Sequence, residues 1–440
     1  MKVLKFGGTS VGSVKNMANV KNIIHDGSKK VIVLSAMSGT TNALLSIAES
    51  ITNKNTNEAT EKINTLHDTY FTVIDELLVH DHLNKQTKDY ISSVFNLLTT
   101  HTHKAPSALL NNEIVAQGEL MSTYMFNAYL KQEGIDSTLL PALDFMRINK
   151  VKEPDMESIK RNLKEVMDRV PEATIYITQG FICLDDKGNI SNLQRGGSDY
   201  TATIIGAAIK AEEVQIWTDI DGMHNNDPRY VNNTNPISDL CYDEAAELAY
   251  FGAKILHPQT VLPVREDHIP VRLKNTMNPE CYGTRITSDA TENGIKAIAA
   301  KDGITAIKIK SGRMLLAHGF LKKIFEIFET YETSIDMITT SEVAVSVTID
   351  DEKNLDKIIA ALEAFATIEV DKNQSIICLV GHAIVNHDET YKLFQILKDV
   401  KIRMISYGGS KNNISLLVDS KNKIETLQKL NDYIFELAHQ

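Results

Sequence analysis

Short runs of β-branched and apolar residues alternate with longer helical stretches over about the first 290 residues, and no other feature constrains the fold as strongly. Strands separated by helical crossovers are typical of an α/β fold with a mainly parallel central sheet. Val3–Phe6 is predicted as a strand, Val14–Ile24 as a helix and Val214–Thr218 as a later strand. The polar segment from about Ile51 to Ala105 has few strand-forming residues and predicts helices inserted into this sheet protein.

An internal repeat follows this α/β region. Strands and helices in the order β-α-β-β-α-β over residues 301–372 recur over residues 373–440 without the closing strand. Ile335–Thr339 in the first copy corresponds to Ile402–Ser406 in the second, and an alternating apolar strand follows each of them. The repeat predicts two small α+β units of the ferredoxin type.

Three domains are therefore expected: a catalytic α/β domain over residues 1–290, a first small unit over 301–372 and a second over 373–440. One strand over residues 295–300 is left over from this division. It is predicted to be separate from the strand that begins at Ile304, and it is placed to complete the second small unit.

The charge and cysteine content restrict the partners and the compartment. The formal net charge is −11, from 46 basic and 57 acidic residues, so neither nucleic acid nor an anionic membrane is expected as a general partner. The four cysteines lie far apart without a Cys-x-x-Cys pair, which argues against disulfides and zinc knuckles and fits a reducing cytoplasm. The N-terminus lacks the apolar stretch of a signal peptide, and no apolar run reaches the roughly 20 residues of a membrane span. We therefore expect a soluble cytoplasmic protein.

Three turns rich in Gly, Ser and Thr connect predicted strands to helices: Gly7–Ser10, Ser38–Thr41 and Gly196–Ser198. Backbone N–H groups in such a turn, next to a helix N-terminus, can bind phosphate, although a single turn is more often a simple tight connection. A P-loop is excluded because Ser13 and Val14 stand where it needs Lys followed by Ser or Thr, and no dinucleotide-binding Gly-x-Gly-x-x-Gly motif is present. Three such turns at the carboxyl edge of a parallel sheet predict an anionic ligand there.

Two basic residues accompany these turns. Lys5 lies inside an apolar strand, where an unpaired ammonium is costly, so a phosphate or carboxylate partner is expected. Arg195 directly precedes the third turn, and its planar guanidinium suits a carboxylate ligand. The alternative role of Ser198 and Asp199 in this motif is that of a helix N-cap.

Four further candidates each have an ordinary alternative. Glu119 and Lys254 are either site residues or solvated side chains of helices. Asp219 and Asp227 either bind Mg²⁺ or form turns of their loop, and a turn is the better expectation for Asp227. The two His-x-His pairs lack a third ligand at zinc spacing, so no metal site built from protein ligands alone is predicted.

Several motifs together resemble the aspartate kinase family. They are Lys5–Ser10, Arg195–Ala202, Trp217–Asp219 with Asp227–Arg229, and Tyr242–Pro258. The last of these, YDEAAELAYFGAKILHP, is especially characteristic. The C-terminal units resemble paired ACT domains through Gly319–Leu321 and Ile338–Glu342. The resemblance covers essentially the whole chain and is closest to the monofunctional, lysine-sensitive branch.

The resemblance implies an amino-acid-kinase fold and a phosphotransferase activity. Such an enzyme transfers the γ-phosphate of ATP, with Mg²⁺, to the side-chain carboxylate of L-aspartate and gives 4-phospho-L-aspartate. This is the first step of lysine, threonine and methionine biosynthesis, and it implies feedback inhibition by an amino acid, with L-lysine expected. A cytoplasmic homodimer or dimer of dimers, joined through the ACT domains, is also implied.

Site residues carry over from the resemblance by motif. The implied catalytic residues are Lys5, Asp199 and Lys254. The implied aspartate-binding residues are Thr41, Glu119, Phe181, Arg195 and Ser198. The implied nucleotide-binding residues are Gly7, Gly8, Thr9, Ser10, Thr218, Asp219, His224, Arg229, Lys254 and Ile255. The implied effector-binding residues are Met314, Ala317, Gly319, Phe320, Leu321, Ile335, Asp336, Ser341 and Glu342. His224 stands where the family is expected to have tyrosine.

Asp336 distinguishes the two C-terminal units, because Arg403 takes its place in the second copy. An aspartate can pair with the ammonium group of an amino-acid effector, whereas an arginine repels it. The first unit is therefore predicted to be the sensor, and the second to be a scaffold or an interface.

Two rival functions are open: a kinase for another small acid, such as acetylglutamate or carbamate, and a non-catalytic amino-acid sensor of the same fold. The ACT pair and the long match over Tyr242–Pro258 argue against the first rival. The intact Lys5, Arg195, Asp199 and Lys254 argue against the second.

Overall fold

The computed structural model of the chain describes residues 1–193, 196–252, 256–289, 293–312, 318–386 and 390–436. The chain divides into two compact units. The first comprises Met1–Met223, Ser238–Tyr242 and Leu256–Asp289, and the second comprises His224–Ile237, Asp243–Ile255 and Ala290–Gln440. Among the described residues, no helix combines the length and the apolar character needed to cross a membrane.

Strands and helices alternate in the first unit and form a repeat in the second. The strands are β1 Lys2–Phe6, β2 Lys30–Leu34, β3 Ser137–Leu139, β4 Ile175–Gln179, β5 Ile182–Leu184, β6 Ile190–Asn192, β7 Val214–Thr218, β8 Asp239–Cys241, β9 Val271–Asn275, β10 Thr284–Thr287, β11 Gly294–Lys310, β12 Ile338–Thr340, β13 Ala344–Ile349, β14 Thr367–His382, β15 Ile402–Ser406 and β16 Asn413–Asp419. The helices are α1 Val14–Ile24, α2 Thr40–Thr52, α3 Thr56–Leu77, α4 Asp81–His101, α5 Ala108–Gln132, α6 Ala142–Phe145, α7 Met156–Asp168, α8 Gly197–Ile209, α9 Tyr242–Phe251, α10 Leu262–Arg265, α11 Phe320–Thr330, α12 Leu355–Glu363, α13 Thr390–Ile396 and α14 Lys423–Asn431.

The first unit is built on a mainly parallel sheet, which confirms the predicted α/β fold class. Its strand order is β3-β4-β2-β1-β7-β9-β10-β8. β1 lies between β2 and β7 and is parallel to both, with Phe6 opposite Leu34 on one side and Trp217 on the other. β10 is antiparallel to β9. Every residue of β2 is buried, as expected of a central parallel strand with both faces covered.

Helices α3 and α4 form the insertion that the polar segment after Ile51 predicts. Their apolar residues recur every three or four positions, so one face of each helix is buried although most of its residues are polar. Tyr70 of α3 packs against Phe95 of α4 with a ring-centroid distance of 6.1 Å.

Helix α5 is buried over most of its length. It begins earlier than its apolar core suggests, because Ser107 caps it by accepting a hydrogen bond from the Leu110 N–H group at 3.1 Å. A Cβ atom on Gly118 would lie 2.9 Å from Cβ of Ala36, so glycine lets the helix approach the segment that follows β2. This close approach determines where Glu119 is placed.

The second unit contains a six-stranded sheet in the order β12-β13-β11-β14-β16-β15. The prediction of two separate strands, one over residues 295–300 and one from Ile304 onward, is wrong. A single strand, β11, runs over Gly294–Lys310. A register shift between Lys301 and Ile304 admits Gly303, whose φ is +74°, without ending the hydrogen-bonded ladder. Such a bulge lets one long strand serve both halves of the repeat.

Two separate apolar cores lie on this sheet. One contains Ile307, Phe328 and Val347, and the other contains Ile298 and Leu416. Each core is covered by helices of its own half of the repeat. Residues 295–301 of β11 pair with residues 376–381 of β14, next to β16. The exact division into domains at 1–290, 301–372 and 373–440 stays a prediction.

Candidate active site

Lys5 and Asp199 form an ion pair at the carboxyl end of β1. Their Nζ and Oδ1 atoms are 2.6 Å apart, and both side chains are largely buried. Lys5 lies on β1, whereas Asp199 lies in the first turn of α8, so only the tertiary fold brings them together. A Cβ atom on Gly7 would lie 3.4 Å from the Lys5 Nζ atom, which places this ammonium over the first glycine turn. The pair can therefore present a positioned cation to a phosphate held by that turn.

The first glycine turn is tied to the strands and the turn beside it. The Gly7 N–H group donates to the Trp217 carbonyl at 3.3 Å, and Ser38 N–H donates to the Gly8 carbonyl at 3.2 Å. A Cβ atom on Gly8 would lie 3.0 Å from the Ala36 carbonyl oxygen, so this close approach needs a small residue. Two of the three predicted turns are thus in direct contact.

Glu119 is a buried carboxylate with an unused oxygen. The residue is 3% exposed, and its Oε1 accepts a hydrogen bond from the Ala36 N–H group at 3.2 Å. Its Oε2 has no hydrogen-bond partner among the described residues. Burial raises the pKa of Glu119 to about 7. A buried carboxylate without a cation is the environment in which a ligand's ammonium would be most favourable.

Ser198 lies at the start of α8 beside the end of β4. Its hydroxyl accepts a hydrogen bond from the Ser35 hydroxyl at 2.9 Å. A Cβ atom on Gly180 would lie 2.3 Å from Cβ of Ser198, so these two segments touch. Phe181 has a φ of +68°, a left-handed conformation that is unfavourable for a bulky residue, and its N–H group donates to Thr201 Oγ1 at 2.9 Å. Such backbone strain is common where a side chain must be aimed at a ligand.

Sequence reasoning missed the supporting residues Ser35 and Gly180, and it gave Thr201, inside the Arg195–Ala202 motif, no role of its own. Ser35 and Gly180 each directly follow a buried strand, β2 and β4, and this position is the one signal that marks them. Ser35 also accepts a hydrogen bond on its carbonyl from the hydroxyl of Ser122, three residues beyond Glu119. Thr41, a predicted site residue, lies partly buried in the first turn of α2.

The predicted nucleotide-binding residues lie in both units. Thr218 ends β7 in the first unit, and its hydroxyl donates to the Asp219 carboxylate at 3.1 Å. In the second unit, His224 Nδ1 is 3.0 Å from Thr234 Oγ1, and the Arg229 guanidinium pairs with the carboxylate of Asp227 at 2.6 Å. Arg195, Lys254 and Ile255 lie outside the described residues.

Asp336, the centre of the predicted effector site, is already engaged. Its carboxylate accepts hydrogen bonds from the Lys301 ammonium and the Tyr250 hydroxyl, each at 2.7 Å, and its side chain is 1% exposed. Lys301 also pairs with Asp350 at 2.8 Å. Burial disfavours the Lys301 ammonium, but the bonds to the two carboxylates dominate and raise its pKa above the ordinary value.

The other predicted effector residues that the structure describes lie at the start of α11, just before β12 and in the β12–β13 turn. Gly319, with φ +85°, precedes α11, and Phe320 and Leu321 are in its first turn. Ile335 is partly buried, whereas Ser341 and Glu342 are exposed. Met314 and Ala317 lie outside the described residues. In the second copy of the repeat, Arg403 pairs with Asp371 at 2.7 Å.

The described ranges contain no group of three or more His, Cys, Asp or Glu side chains arranged to hold a metal ion. Mg²⁺ in phosphotransferases needs no such cluster, because it keeps several waters and shares one or two carboxylates with the substrate phosphates.

Sequence models of two protein families match this chain. The sequence model of the amino acid kinase family matches residues 1–275, and a model of the ACT domain matches residues 377–433. The lysine-sensitive aspartokinase 3 of Escherichia coli K12 is 33% identical over 450 aligned positions, which cover 99% of each chain. The chloroplastic aspartokinase 1 of Arabidopsis thaliana is 35% identical over 99% of this chain and 80% of its own length.

Solved structures agree with these relatives. E. coli aspartokinase III in complex with aspartate and ADP superimposes with a TM-score of 0.86 at 32% identity, covering 99% of this chain and 100% of that one. The aspartate kinase of Clostridium acetobutylicum gives a TM-score of 0.84 at 26% identity over 99% and 100% of the two chains. The chain belongs to the aspartokinase family, within the amino acid kinases, which confirms the predicted family, fold class and phosphotransferase class.

Proposed function

We propose that this chain transfers the γ-phosphate of ATP to the side-chain carboxylate of L-aspartate, giving 4-phospho-L-aspartate and ADP. The observation that carries the proposal is the Lys5 ammonium, which is paired with Asp199 and lies over a glycine turn at the carboxyl edge of a parallel sheet. The relatives support it, since one solved relative is a complex with aspartate and ADP.

The phosphate side of the site supplies position and positive charge. Phosphoryl transfer needs aligned reactants and neutralised charge more than covalent chemistry. Lys5 would meet the charge that develops on the transferring phosphoryl group, with Asp199 holding the ammonium in place. The N–H groups of Gly7 and Gly8 would approach the phosphates. The acceptor is already a carboxylate, so no strong general base is required.

The aspartate-binding part of the site would contain one cationic and one anionic side chain. Arg195 would bind a carboxylate of the substrate, with the Ser198 hydroxyl beside it. Glu119 would face the ammonium, and its unpaired Oε2 is the group left to accept that hydrogen bond. Thr41 and Phe181 would line the pocket.

The nucleotide would be bound by Thr218, Asp219, His224, Arg229, Lys254 and Ile255. Mg²⁺ fits the oxygen donors near the turn, and Asp199 and Asp219 are the carboxylates that would hold it together with phosphate oxygens. When bound, the ion supplies charge neutralisation on the phosphates. Each protein residue keeps its positioning role.

Control would reside in the second unit. We propose that L-lysine binds near Gly319–Leu321 and Asp336 and inhibits the kinase. The name of one relative describes a lysine-sensitive aspartokinase, and a solved relative is a complex with lysine and aspartate. We further propose a cytoplasmic homodimer or dimer of dimers joined through the ACT domains, because β12 and β15 are the edge strands of the sheet, and edge strands can pair with a second copy.

An ADP-production assay with purified full-length protein tests the function. L-aspartate, N-acetylglutamate, carbamate and no acceptor are compared, each with and without Mg²⁺, and L-lysine, L-threonine and L-methionine are then added in turn. Mg²⁺-dependent ADP formation specific to L-aspartate is expected. Turnover with another acid identifies the rival kinase. Binding of an amino acid without turnover of any acceptor identifies a non-catalytic sensor.

A further inference from the structure

Thr276 connects two segments of the predicted nucleotide site. It directly follows β9 and is 1% exposed. Its N–H group donates to the Thr218 carbonyl at 2.8 Å. Its Oγ1 lies 2.7 Å from Oγ of Ser10, which is also 1% exposed. One residue thus bonds to the end of β7 through its backbone and to the glycine turn through its side chain.

The two ends of the glycine turn are held differently. Gly7, at the strand end, is tied to β7 by a bond between backbone groups. Ser10, at the far end, uses its N–H group within the turn, donating to the Gly7 carbonyl at 3.0 Å, and its hydroxyl is buried against Thr276. The side-chain pair of Ser10 and Thr276 is therefore the link that ties the far end of the turn to Thr218.

We propose that Thr276 is a positioning residue for the nucleotide phosphates. The inference rests on the proposed kinase function and adds to it the residue that keeps the turn in its binding conformation before ATP arrives. A site that is in its competent conformation only part of the time binds with proportionally lower apparent affinity. Removing the Thr276 hydroxyl leaves the buried Ser10 hydroxyl unpaired, which favours conformations that expose it.

Thr276→Val and Thr276→Ser in the full-length protein separate this role from general packing. Valine keeps the shape and removes the hydroxyl, whereas serine keeps the hydroxyl. We expect Thr276→Val to raise the KM for ATP about ten-fold, as when about a tenth of the molecules hold a competent turn. The KM for aspartate should change by less than about two-fold, because none of the hydrogen bonds that the pair makes among the described residues goes to the proposed aspartate site. Thr276→Ser should restore the ATP value.

Ser137→Ala is the matched control. The Ser137 hydroxyl donates a buried hydrogen bond to Asn127 Oδ1 at 2.9 Å. Ser137 lies at the amino end of β3, whereas Thr276 lies at the carboxyl end of β9, where the phosphates are proposed to bind. It should lower the thermal midpoint without moving either KM. Calorimetric titration with ATP in the absence of aspartate gives a second measurement that does not depend on turnover.

A double-mutant cycle tests whether the two hydroxyls act as one pair. Ser10→Ala should also raise the KM for ATP, and the double variant should be no worse than Thr276→Val, since removing both hydroxyls leaves neither unpaired. Should Thr276→Val not fold, Ser10→Ala provides the same comparison with Ser137→Ala.

Three results would overturn the inference: equal changes in both KM values, effects no larger than those of Ser137→Ala, or increases that simply multiply in the double variant. A wild-type protein without aspartate-dependent turnover would instead contradict the proposed function. ATP binding measured by calorimetry would still test Thr276 in that case, so the two failures are distinguishable.

Discussion

The hydroxyl of Tyr250 donates a hydrogen bond of 2.7 Å to the carboxylate of Asp336. Tyr250 is in α9, within the motif that also contains Lys254, and Asp336 is the residue predicted to pair with the ammonium of an effector. The Lys301 ammonium bonds to the same carboxylate and lies 4.5 Å from the centre of the Tyr250 ring. An effector's ammonium would therefore have to compete with Lys301 and Tyr250 for Asp336.

Asp336→Asn should reduce feedback sensitivity while the kinase still turns over. Asparagine keeps the size of the side chain and an oxygen for the Tyr250 hydroxyl, but it removes the counter-charge of the effector's ammonium. Allosteric coupling is typically about 1–3 kcal/mol, so we expect the lysine concentration for half-inhibition to rise at least about five-fold. Arg403→Ala, at the corresponding position of the second copy, should leave inhibition nearly unchanged. Unaltered inhibition in Asp336→Asn would place the effector elsewhere.

Aspartate binding should weaken at acidic pH because of Glu119. Burial raises the pKa of this carboxyl to about 7, and only the ionised form can pair with the substrate ammonium. The KM for aspartate should therefore rise as the pH falls from about 8 to 6, while the KM for ATP changes little. Glu119→Gln should have a high KM for aspartate at every pH. A pH profile for aspartate that is the same in Glu119→Gln and in the wild type would contradict this role.

The same carboxyl should make folding stability depend on pH. In the unfolded chain the pKa of Glu119 returns to its ordinary value of 4.5, so between that pH and about 7 the folded state binds more protons than the unfolded state. Its contribution to stability is therefore lost as the pH rises through this window. We expect Glu119→Gln to be more stable than the wild type at pH 8, by on the order of 1–3 kcal/mol, and to differ little at pH 4.5.

Urea unfolding at the two pH values measures this difference. Glu165→Gln, at an exposed position of α7, is the control and should shift neither curve. Equal stability of Glu119→Gln and the wild type at pH 8 would show that the buried carboxylate carries no penalty.

Substitutions of Lys5 and Arg195 should change different kinetic constants. Lys5→Met removes a preorganised cation at the developing phosphoryl charge, so kcat should fall by on the order of 10²–10³. Arg195→Ala should mainly raise the KM for aspartate, with ATP still bound. Lys2→Met, at the exposed beginning of the same strand, is the control for Lys5. Equal, large losses of ATP affinity in both variants would contradict this division of roles.

Gly180→Ala should disrupt the aspartate pocket. Its new Cβ would lie 2.3 Å from Cβ and 2.8 Å from Cα of Ser198, so the start of α8 would have to move. We expect the KM for aspartate to rise at least about ten-fold, which corresponds to about 1.4 kcal/mol of lost binding. Gly409→Ala, where a new Cβ would meet Ser406 Oγ only at an ordinary 4.0 Å, should leave the kinetics unchanged. Normal kinetics in Gly180→Ala would mean that Ser198 is not needed for aspartate.

Local patterns predicted much of the fold. Val14–Ile24 and Val214–Thr218 form over the predicted residues, because apolar periodicity and a helix cap act within a few residues of chain. Lys5 was identified as a charge in need of a partner, and its partner Asp199 belongs to a motif that the sequence also singled out. The break predicted before Ile304 failed because a bulge can pass a glycine through a strand, and only the pairing of β14 with β11 shows that it does.

The sequence by itself determined the family and the fold class and predicted the turns and charged residues of the proposed site, because each is a property of neighbouring residues or of a whole motif. Only the tertiary structure decided which other residues contact these turns and charged residues. Thr276 meets Ser10 across 266 positions, and Gly180 is forced to be small by Ser198. It also decided that Asp336 is already held by Lys301 and Tyr250. Contacts of this kind depend on the packing of distant segments, and the pattern within either segment does not name the partner.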